Sequence, residues 1–371
     1  MRVLHVYSGN LYGGIETLLR TVAEEQGRLP ELVHEFALCF EGRLARELRE
    51  AGAVLHLLGE VRVSRPWTVW RARRALREVL RRGDYTALMC HAAWPQALFG
   101  PVARAAGVPL VFHQHDVLNG RHWLERWASV TAPDLAISNS RYSAGTLAKV
   151  YPRTPWRLAY CPVAEPARAG ARAQVRAGLG ADAGDTVILQ VSRMQELKGQ
   201  RLLLEALGRL RQVPGWKAWI AGGAQRPEEE VYLEGLRSQA ASLGLEERVS
   251  FLGQRSDVPS LLAAADLYCQ PNLGPDSFGI SFIEALYAGL PVVTTAMGGP
   301  LEIVDATCGV LVPPEPAPLA SALLRLIENP GLRARLGTGG PARARALSDP
   351  SAYLHTLEDA LRAVAPPEAR A

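Results

Sequence analysis

The 371-residue sequence predicts an α/β protein made of two parallel-sheet domains. Three observations point there. Short apolar runs of strand length alternate with helical patterns through both halves of the chain. Each half opens on a buried strand that runs into a loop and then a helix: Val3 to Tyr7 in the first half and Val187 to Val191 in the second. Between them, from Pro162 to Gly184, the chain becomes rich in Ala, Gly, Pro and Arg, as suits a linker with one short helix, and the boundary is expected near Cys161.

Composition narrows the function classes. A 48% hydrophobic and 21% charged chain is globular, and its net charge is only +4. Three of its 41 basic residues are lysines (Lys149, Lys198, Lys217), a bias toward Arg. The basic residues are spread along the chain without any nucleic-acid-binding signature, so no nucleic-acid partner is expected. The five cysteines (Cys39, Cys90, Cys161, Cys269, Cys308) lack metal-ligand spacing and are odd in number, which fits reduced cytoplasmic thiols. No signal-peptide pattern precedes Val3 to Tyr7, and no uncharged run is of membrane-spanning kind.

In the first half, the strand Val3 to Tyr7 leads through Ser8 to Gly14 into a helix from about Ile15 to Glu25. Gly9, Gly13 and Gly14 do not fit G-x-G-x-x-G, so the dinucleotide fingerprint is absent. A bare Gly-Gly is equally a tight turn at a helix start. Further strands are expected at Glu35 to Phe40, Val54 to Leu58, Ala87 to His91, Pro109 to His113 and Leu135 to Ser138. The stretch Arg62 to Arg82 is the most basic, and Val69, Ala72, Leu76 and Val79 recur on one helical face. It reads as a surface helix with a solvated Arg face, or as a face that rests Trp67 and Trp70 on anionic lipid. His113-Gln114-His115-Asp116 follows a strand, where ligands bind in open α/β sheets. As a zinc pair, His113 and His115 lack further ligands nearby in sequence.

In the second half, the strand Val187 to Val191 is followed by Ser192 to Gln200 and a helix from about Arg201 to Arg211. Arg193 and Lys198 bracket that loop and offer positive charge at a helix entrance. In a chain so poor in lysine, Lys198 suggests that a compact ammonium is wanted there. Strands follow at Trp219 to Gly223, Val249 to Gly253 and Leu267 to Gln270. The stretch Pro275 to Val304 reads as loop, helix, turn, strand, loop, helix. Asp276 and Ser277 suit helix caps, with the helix running from near Phe278 to Gly289, and Val292 to Thr295 forms the next strand. At that N-terminus the amides of Phe278, Gly279 and Ile280 would face an anion such as a diphosphate. Asp276 and Glu284 flank it as acceptors for hydroxyls, a combination that suits a nucleotide sugar. Helical patterns at Leu319 to Leu336 and Tyr353 to Val364 close the chain.

Asp276, one residue, Phe278-Gly279 and then Glu284-Ala-Leu-x-Ala-Gly-x-Pro-Val-Val resembles the donor signature of the retaining glycosyltransferases of family 4. Arg193 and Lys198-Gly199 match that family's Arg-x4-Lys-Gly spacing, and Gly13-Gly14-Ile15-Glu16 looks like its glycine loop. The family signature normally starts with Glu, where this chain has Asp276. The resemblance implies a GT-B fold, two Rossmann-like domains facing each other across a cleft. Residues 1–161 would form the acceptor side and 162–346 the donor side, with the helix 347–371 packing back onto the first domain.

The same resemblance implies site roles. Arg193, Lys198 and the amides of Phe278, Gly279 and Ile280 would bind the diphosphate, Glu284 the ribose hydroxyls, and Leu252 and Gly253, with Arg255 nearby, the nucleobase. Gly13 and Gly14 would face donor phosphate and acceptor. His115 would lie near the reacting centre, with His113 pointing the other way. The catalytic set is thus His115, Asp276, Arg193 and Lys198. No Asp-x-Asp occurs, in keeping with transfer without a divalent metal or other cofactor. The expected partners are a nucleotide-sugar donor and a glycan, lipid-linked or small-molecule acceptor, with the protein cytoplasmic or at the inner face of the membrane through Arg62 to Arg82. The competing reading is a non-catalytic nucleotide-sugar-binding subunit of a glycan-assembly complex.

Overall fold

The computed structural model describes residues 1–10, 12–166 and 172–365. The chain divides into two compact units: Met1–Ala164 with Ser348–Ala371, and Glu165–Leu347. Each contains one parallel sheet, as the alternation of strands and helices implies. Part of the expected linker (167–171) and the end of the expected last helix (366–371) lie outside the described residues.

The first unit contains β1 (Arg2–Tyr7), β2 (Val33–Leu38), β3 (Val54–Leu57), β4 (Ala87–His91), β5 (Leu110–Gln114), β6 (Leu135–Ser138) and β7 (Trp156–Leu158). Their order is β3-β2-β1-β4-β5-β6-β7 with every neighbour parallel, so the direction of winding reverses between β1 and β4. Central strands β4 and β5 are buried along their whole length, the expected state of parallel strands covered on both faces. β7 escapes sequence reading because it is three residues at a sheet edge with exposed Trp156 and Arg157, and has no apolar periodicity. The helix Pro350–Val364 returns to this unit. It buries Tyr353, Leu357 and Leu361 and packs against the helix Gly14–Glu25. Each such leucine contributes about 1.5–3 kcal/mol by leaving water.

The second unit contains β8 (Thr186–Val191), β9 (Trp216–Ala221), β10 (Val249–Gly253), β11 (Leu267–Gln270), β12 (Val292–Thr295) and β13 (Gly309–Val312). Their order is β10-β9-β8-β11-β12-β13, again all parallel and reversing between β8 and β11. β13 was not anticipated: it is a four-residue edge strand that starts on Gly309 and is closed by Pro313. The single helical pattern expected over Leu319 to Leu336 is two helices, Pro316–Glu328 and Pro330–Ser348, because Pro330 has no N–H to continue the first and is well placed to start the second. Asp266 ties the start of the sheet together. Its Oδ2 accepts from the Val187 amide at 2.7 Å and from Arg176 at 3.0 Å.

A row of five histidines crosses the middle of the first sheet: His34 on β2, His5 on β1, His91 on β4, and His113 and His115 on and just beyond β5, none more than 6% exposed. His5 Nε2 lies 2.9 Å from His34 Nδ1, His5 Nδ1 2.9 Å from His91 Nε2, and His91 Nδ1 2.9 Å from His115 Nε2. Burial holds all five below the ordinary histidine range, with His34 pushed down to about 4 and His115 to about 3. Neighbouring imidazoles add to the effect of burial at His5, His91 and His113.

The folded state therefore keeps these rings neutral while the unfolded chain takes up protons below about pH 6.5. The stability they lend is complete above that pH and is lost as the pH falls toward 4. Each contributes a slope of about 1.4 kcal/mol per pH unit in that window. Urea-unfolding midpoints of the first unit are expected to fall steeply between pH 7 and pH 5, and a flat profile there would contradict the burial of neutral rings.

Candidate active site

Where strand order reverses in an open parallel sheet, the two loops leaving the carboxyl edge diverge and leave room for a ligand. In the second unit those loops follow β8 and β11, and they carry Arg193, Lys198 and Asp276. The fold joins the two motifs directly: Lys198 Nζ lies 2.5 Å from Asp276 Oδ2, with side chains 18% and 17% exposed. Arg193, also half-buried, has Nη1 4.0 Å from Glu229 Oε1. Glu229 is buried and further accepts from Gln195 Nε2 at 3.0 Å and the Gln225 amide at 2.7 Å. Two cations thus stand at one strand-end, each held by a carboxylate from another part of the unit.

Buried amides hold these loops in place. Gln190 Nε2 donates to the Lys198 carbonyl at 2.8 Å, and Gln200 Nε2 donates to the Arg193 carbonyl at 2.8 Å and to Ser192 Oγ at 3.0 Å. Across the reversal, Gln270 Nε2 donates to Asn272 Oδ1 at 2.9 Å, and Thr295 Oγ1 donates to the Asn272 carbonyl at 2.6 Å. Gln190, Gln200, Gln270 and Asn272 are at most 1% exposed. None of them, nor Glu229, was singled out from sequence. The available signal was a glutamine at or next to the end of a mostly apolar strand, as in Thr186–Val191 and Leu267–Gln270.

The helix after Asp276 corrects one expectation. It spans Ile280–Tyr287 and begins later than expected, with Gly279 at its N-cap, φ 116°, and no side-chain cap. Asp276 is not the cap, because its carboxylate is committed to Lys198 and its carbonyl accepts from the Gly299 amide at 2.8 Å. Only glycine adopts the Gly279 conformation readily, and a Cβ there would lie 2.4 Å from the Phe282 ring. Phe278 puts its ring into the core, so its backbone is the part near the loop. Ile280 opens the helix and Glu284 lies half-buried one turn on. Leu252 and Gly253 end β10, where the register with β9 shifts, and the Gly253 carbonyl accepts from the Gly222 amide at 2.8 Å. Arg255 is engaged by Asp257 at 2.6 Å.

Gly13, Gly14 and His115 belong to the first unit. Buried Glu16 shapes the glycine loop: it accepts from the Gly13 amide at 2.8 Å and from the Tyr7 hydroxyl at 2.9 Å. Burial, reinforced by the negative charge of Glu16, raises the Tyr7 hydroxyl well above the usual tyrosine range. The expectation that His113 points away from His115 is corrected. Their ring centroids are 4.1 Å apart, because residues two apart along a strand share a face. The fold also brings His91, 22 residues upstream, to the pair.

These features define a two-unit α/β protein with strand-reversal sites and a basic pair on the second sheet. Residues 171–343 match the model of glycosyl transferases group 1, and residues 12–164 that of glycosyltransferase family 4. The Anabaena protein Alr3699/HepE, solved with UDP and glucose, superposes with TM-score 0.86 at 25% identity, covering 98% of this chain and all of the other. Sucrose-phosphate synthase from Thermosynechococcus elongatus shares the fold at TM-score 0.80 and 19% identity, over 98% of this chain and 100% of that one. A D-inositol 3-phosphate glycosyltransferase of Salinispora arenicola is 34% identical over 241 residues, 58% of this chain and 52% of the relative. A phosphatidyl-myo-inositol mannosyltransferase of Mycobacterium leprae is 38% identical over 167 residues, 44% and 42% respectively. The chain spans about half the length of the curated relatives it matches. It belongs to the group 1, family 4 glycosyltransferases and has their GT-B fold.

Gly199 links the two loops of the second unit, since it takes φ 72° and a Cβ would come within 1.7 Å of the Pro271 carbonyl oxygen. Gly199→Ala is expected to destabilise this unit by about 2 kcal/mol or more, from the left-handed penalty of 1–2 kcal/mol plus the clash. The melting temperature should fall by several degrees, and an unchanged melting curve would show that the loops are not held together here.

Proposed function

We propose that this protein transfers a sugar from a nucleoside-diphosphate donor to an acceptor hydroxyl, retaining the anomeric configuration and using no divalent metal. The observation that carries this reading is the convergence of Arg193, Lys198 and Asp276 at the strand reversal of the second sheet. As the bond from the anomeric carbon to the diphosphate breaks, negative charge collects on the leaving oxygen. Arg193, Lys198 and the amides at the start of the helix Ile280–Tyr287 stabilise that charge without a metal ion. Lys198 turns from Asp276 to the diphosphate when donor binds, which frees the Asp276 carboxylate for a sugar hydroxyl. Glu284 accepts from the ribose hydroxyls, and the strand end at Leu252 and Gly253 meets the base. In the first unit, Gly13, Gly14 and His115 serve the sugar and acceptor. The likeness to a protein solved with UDP and with UDP-glucose makes uridine diphosphate the first donor part to test.

Calorimetry with UDP in metal-free buffer is expected to show binding to the parent. Lys198→Ala should weaken it at least tenfold, the loss of a charge-assisted contact of about 1.5–3 kcal/mol. Binding that appears only after Mg2+ or Mn2+ is added would reject the metal-free reading. Equal affinity in the variant would remove Lys198 from the site. UDP-glucose hydrolysis or transfer by the parent separates an enzyme from a binding subunit.

The acceptor side includes a lipid surface in this proposal, at the cytoplasmic face of the membrane. Helix Pro66–Arg82 buries Ala72, Leu76 and Leu80 and presents Trp67 and Trp70 at 63% and 59% exposure. Arg62, Arg65, Arg71, Arg74, Arg77, Arg81 and Arg82 are exposed, and Arg74 sits over the Trp70 ring. Arg73 alone turns inward, donating to the Leu98 carbonyl at 2.7 Å. Among the described residues, no helix is long and apolar enough to cross a membrane. Each Arg near an anionic surface adds about 1 kcal/mol, while the indoles suit the headgroup boundary. Sedimentation with phosphatidylglycerol vesicles is expected at low salt and should weaken with salt and in Trp67→Ser/Trp70→Ser. Equal binding to phosphatidylcholine vesicles would reject the role of the Arg face, and binding to neither would leave the helix an ordinary solvated surface.

A further inference from the structure

The histidines at the ends of β4 and β5 have ligand chemistry that sugar transfer does not require. One nitrogen each from His91, His113 and His115 lies within 4.8 Å of the others, and all three residues are buried. The ring centroid of His113 is 4.1 Å from that of His115 and 5.0 Å from that of His91. Neither ring nitrogen of His113 has a hydrogen-bond partner, although both are buried. A neutral imidazole carries one N–H donor and one lone pair, so leaving both unmatched costs about 1–3 kcal/mol per group. Such a ring in a packed sheet needs something that takes its lone pair.

We propose that His91, His113 and His115 form a binding site for one late first-row divalent ion of the zinc type. Three imidazoles without a thiolate suit zinc, cobalt, nickel or copper, and do not suit magnesium or calcium, which want oxygen ligands. Zinc–nitrogen bonds of about 2.0–2.1 Å in a tetrahedron put ligand atoms roughly 3.4 Å apart. His91 Nδ1 and His115 Nε2, now 2.9 Å apart, have only to separate by about half an ångström, exchanging a shared proton for the ion. Burial already keeps all three rings unprotonated at neutral pH, as binding requires.

Beyond the ligands stands a support that fits the same assignment. With His91 Nδ1 on the metal, its Nε2–H donates to His5 Nδ1, and His5 Nε2–H donates to His34 Nδ1, each at 2.9 Å. This fixes the tautomer and tilt of the ligand ring, as outer hydrogen bonds do in metal sites. The backbone is fixed as well. Ala92, directly after His91, takes φ 71° and donates its amide to the His113 carbonyl at 3.0 Å. The ion would clamp the ends of β4 and β5. It uses one nitrogen of His115 and takes no part in the diphosphate chemistry proposed above.

The test uses the untagged full chain, stripped with a chelator, desalted, and titrated with CoCl2. A visible d–d band that saturates at one equivalent and is displaced by ZnCl2 is expected. His113→Asn and His91→Gln should each lower cobalt affinity at least tenfold. His5→Phe, which removes no ligand but loses the hydrogen bond to His91, should lower it about 10- to 100-fold through the lost support. Substituting the exposed His122 and His355 by Ala should leave the titration unchanged. The absence of a band in the parent overturns the site, as does a band that survives in folded His5→Phe and in the ligand variants. UDP affinity measured on the same stripped protein tests the transfer reading separately, so either can fail alone.

Discussion

A parallel sheet delivers every connecting loop after a strand to the same edge, and a reversal of strand order is the place where two such loops part instead of packing together. Both units are built around one such reversal, β1 against β4 and β8 against β11. In the second unit the loops that part there are the two that carry charge. Lys198 and Asp276, 78 residues apart in sequence, meet at 2.5 Å because their strands are neighbours with the order reversed between them. Chemistry at this edge follows from topology before any individual side chain is considered.

Placing charge at a partly dry edge is costly unless the loops are rigid, and the structure provides rigidity from below. Gln190 and Gln200 take the carbonyls of Lys198 and Arg193, and Gln270, Asn272 and Thr295 form the matching support on the other side. A buried amide can donate and accept at fixed distances without bringing a second charge. Glu229 differs. It is a buried carboxylate whose partners include Arg193, so it contributes to the local field as well as to position.

The first unit handles polarity differently. Its central strands contain neutral imidazoles in a hydrogen-bonded row from His34 through His5 and His91 to His115. Such a row stays inexpensive only while every ring is uncharged, and burial enforces this by holding each histidine below its ordinary range. His113 stands beside the row without joining it through a ring nitrogen. That exception separates a ligand-binding cluster from a merely well-packed one.

The α/β class, the positions of most strands along the chain and the family were legible in the sequence, because period-two and period-3.6 patterns and the spacing from Asp276 to Glu284 are local properties of the chain. Edge strands β7 and β13 were not legible, since three or four partly exposed residues leave no period to read. The start of the helix Ile280–Tyr287 was misplaced for a related reason: Asp276 has the composition of a cap, but an ion pair with a lysine 78 residues away outcompetes a local backbone bond. His91 could not be joined to His113 and His115 by spacing, nor could Gln190, Gln200 and Glu229 be recognised as supports. Sequence determined which residues could carry charge or ligate. Only the tertiary structure decided which of them meet, because strand order and register place residues far apart in the chain within bonding distance.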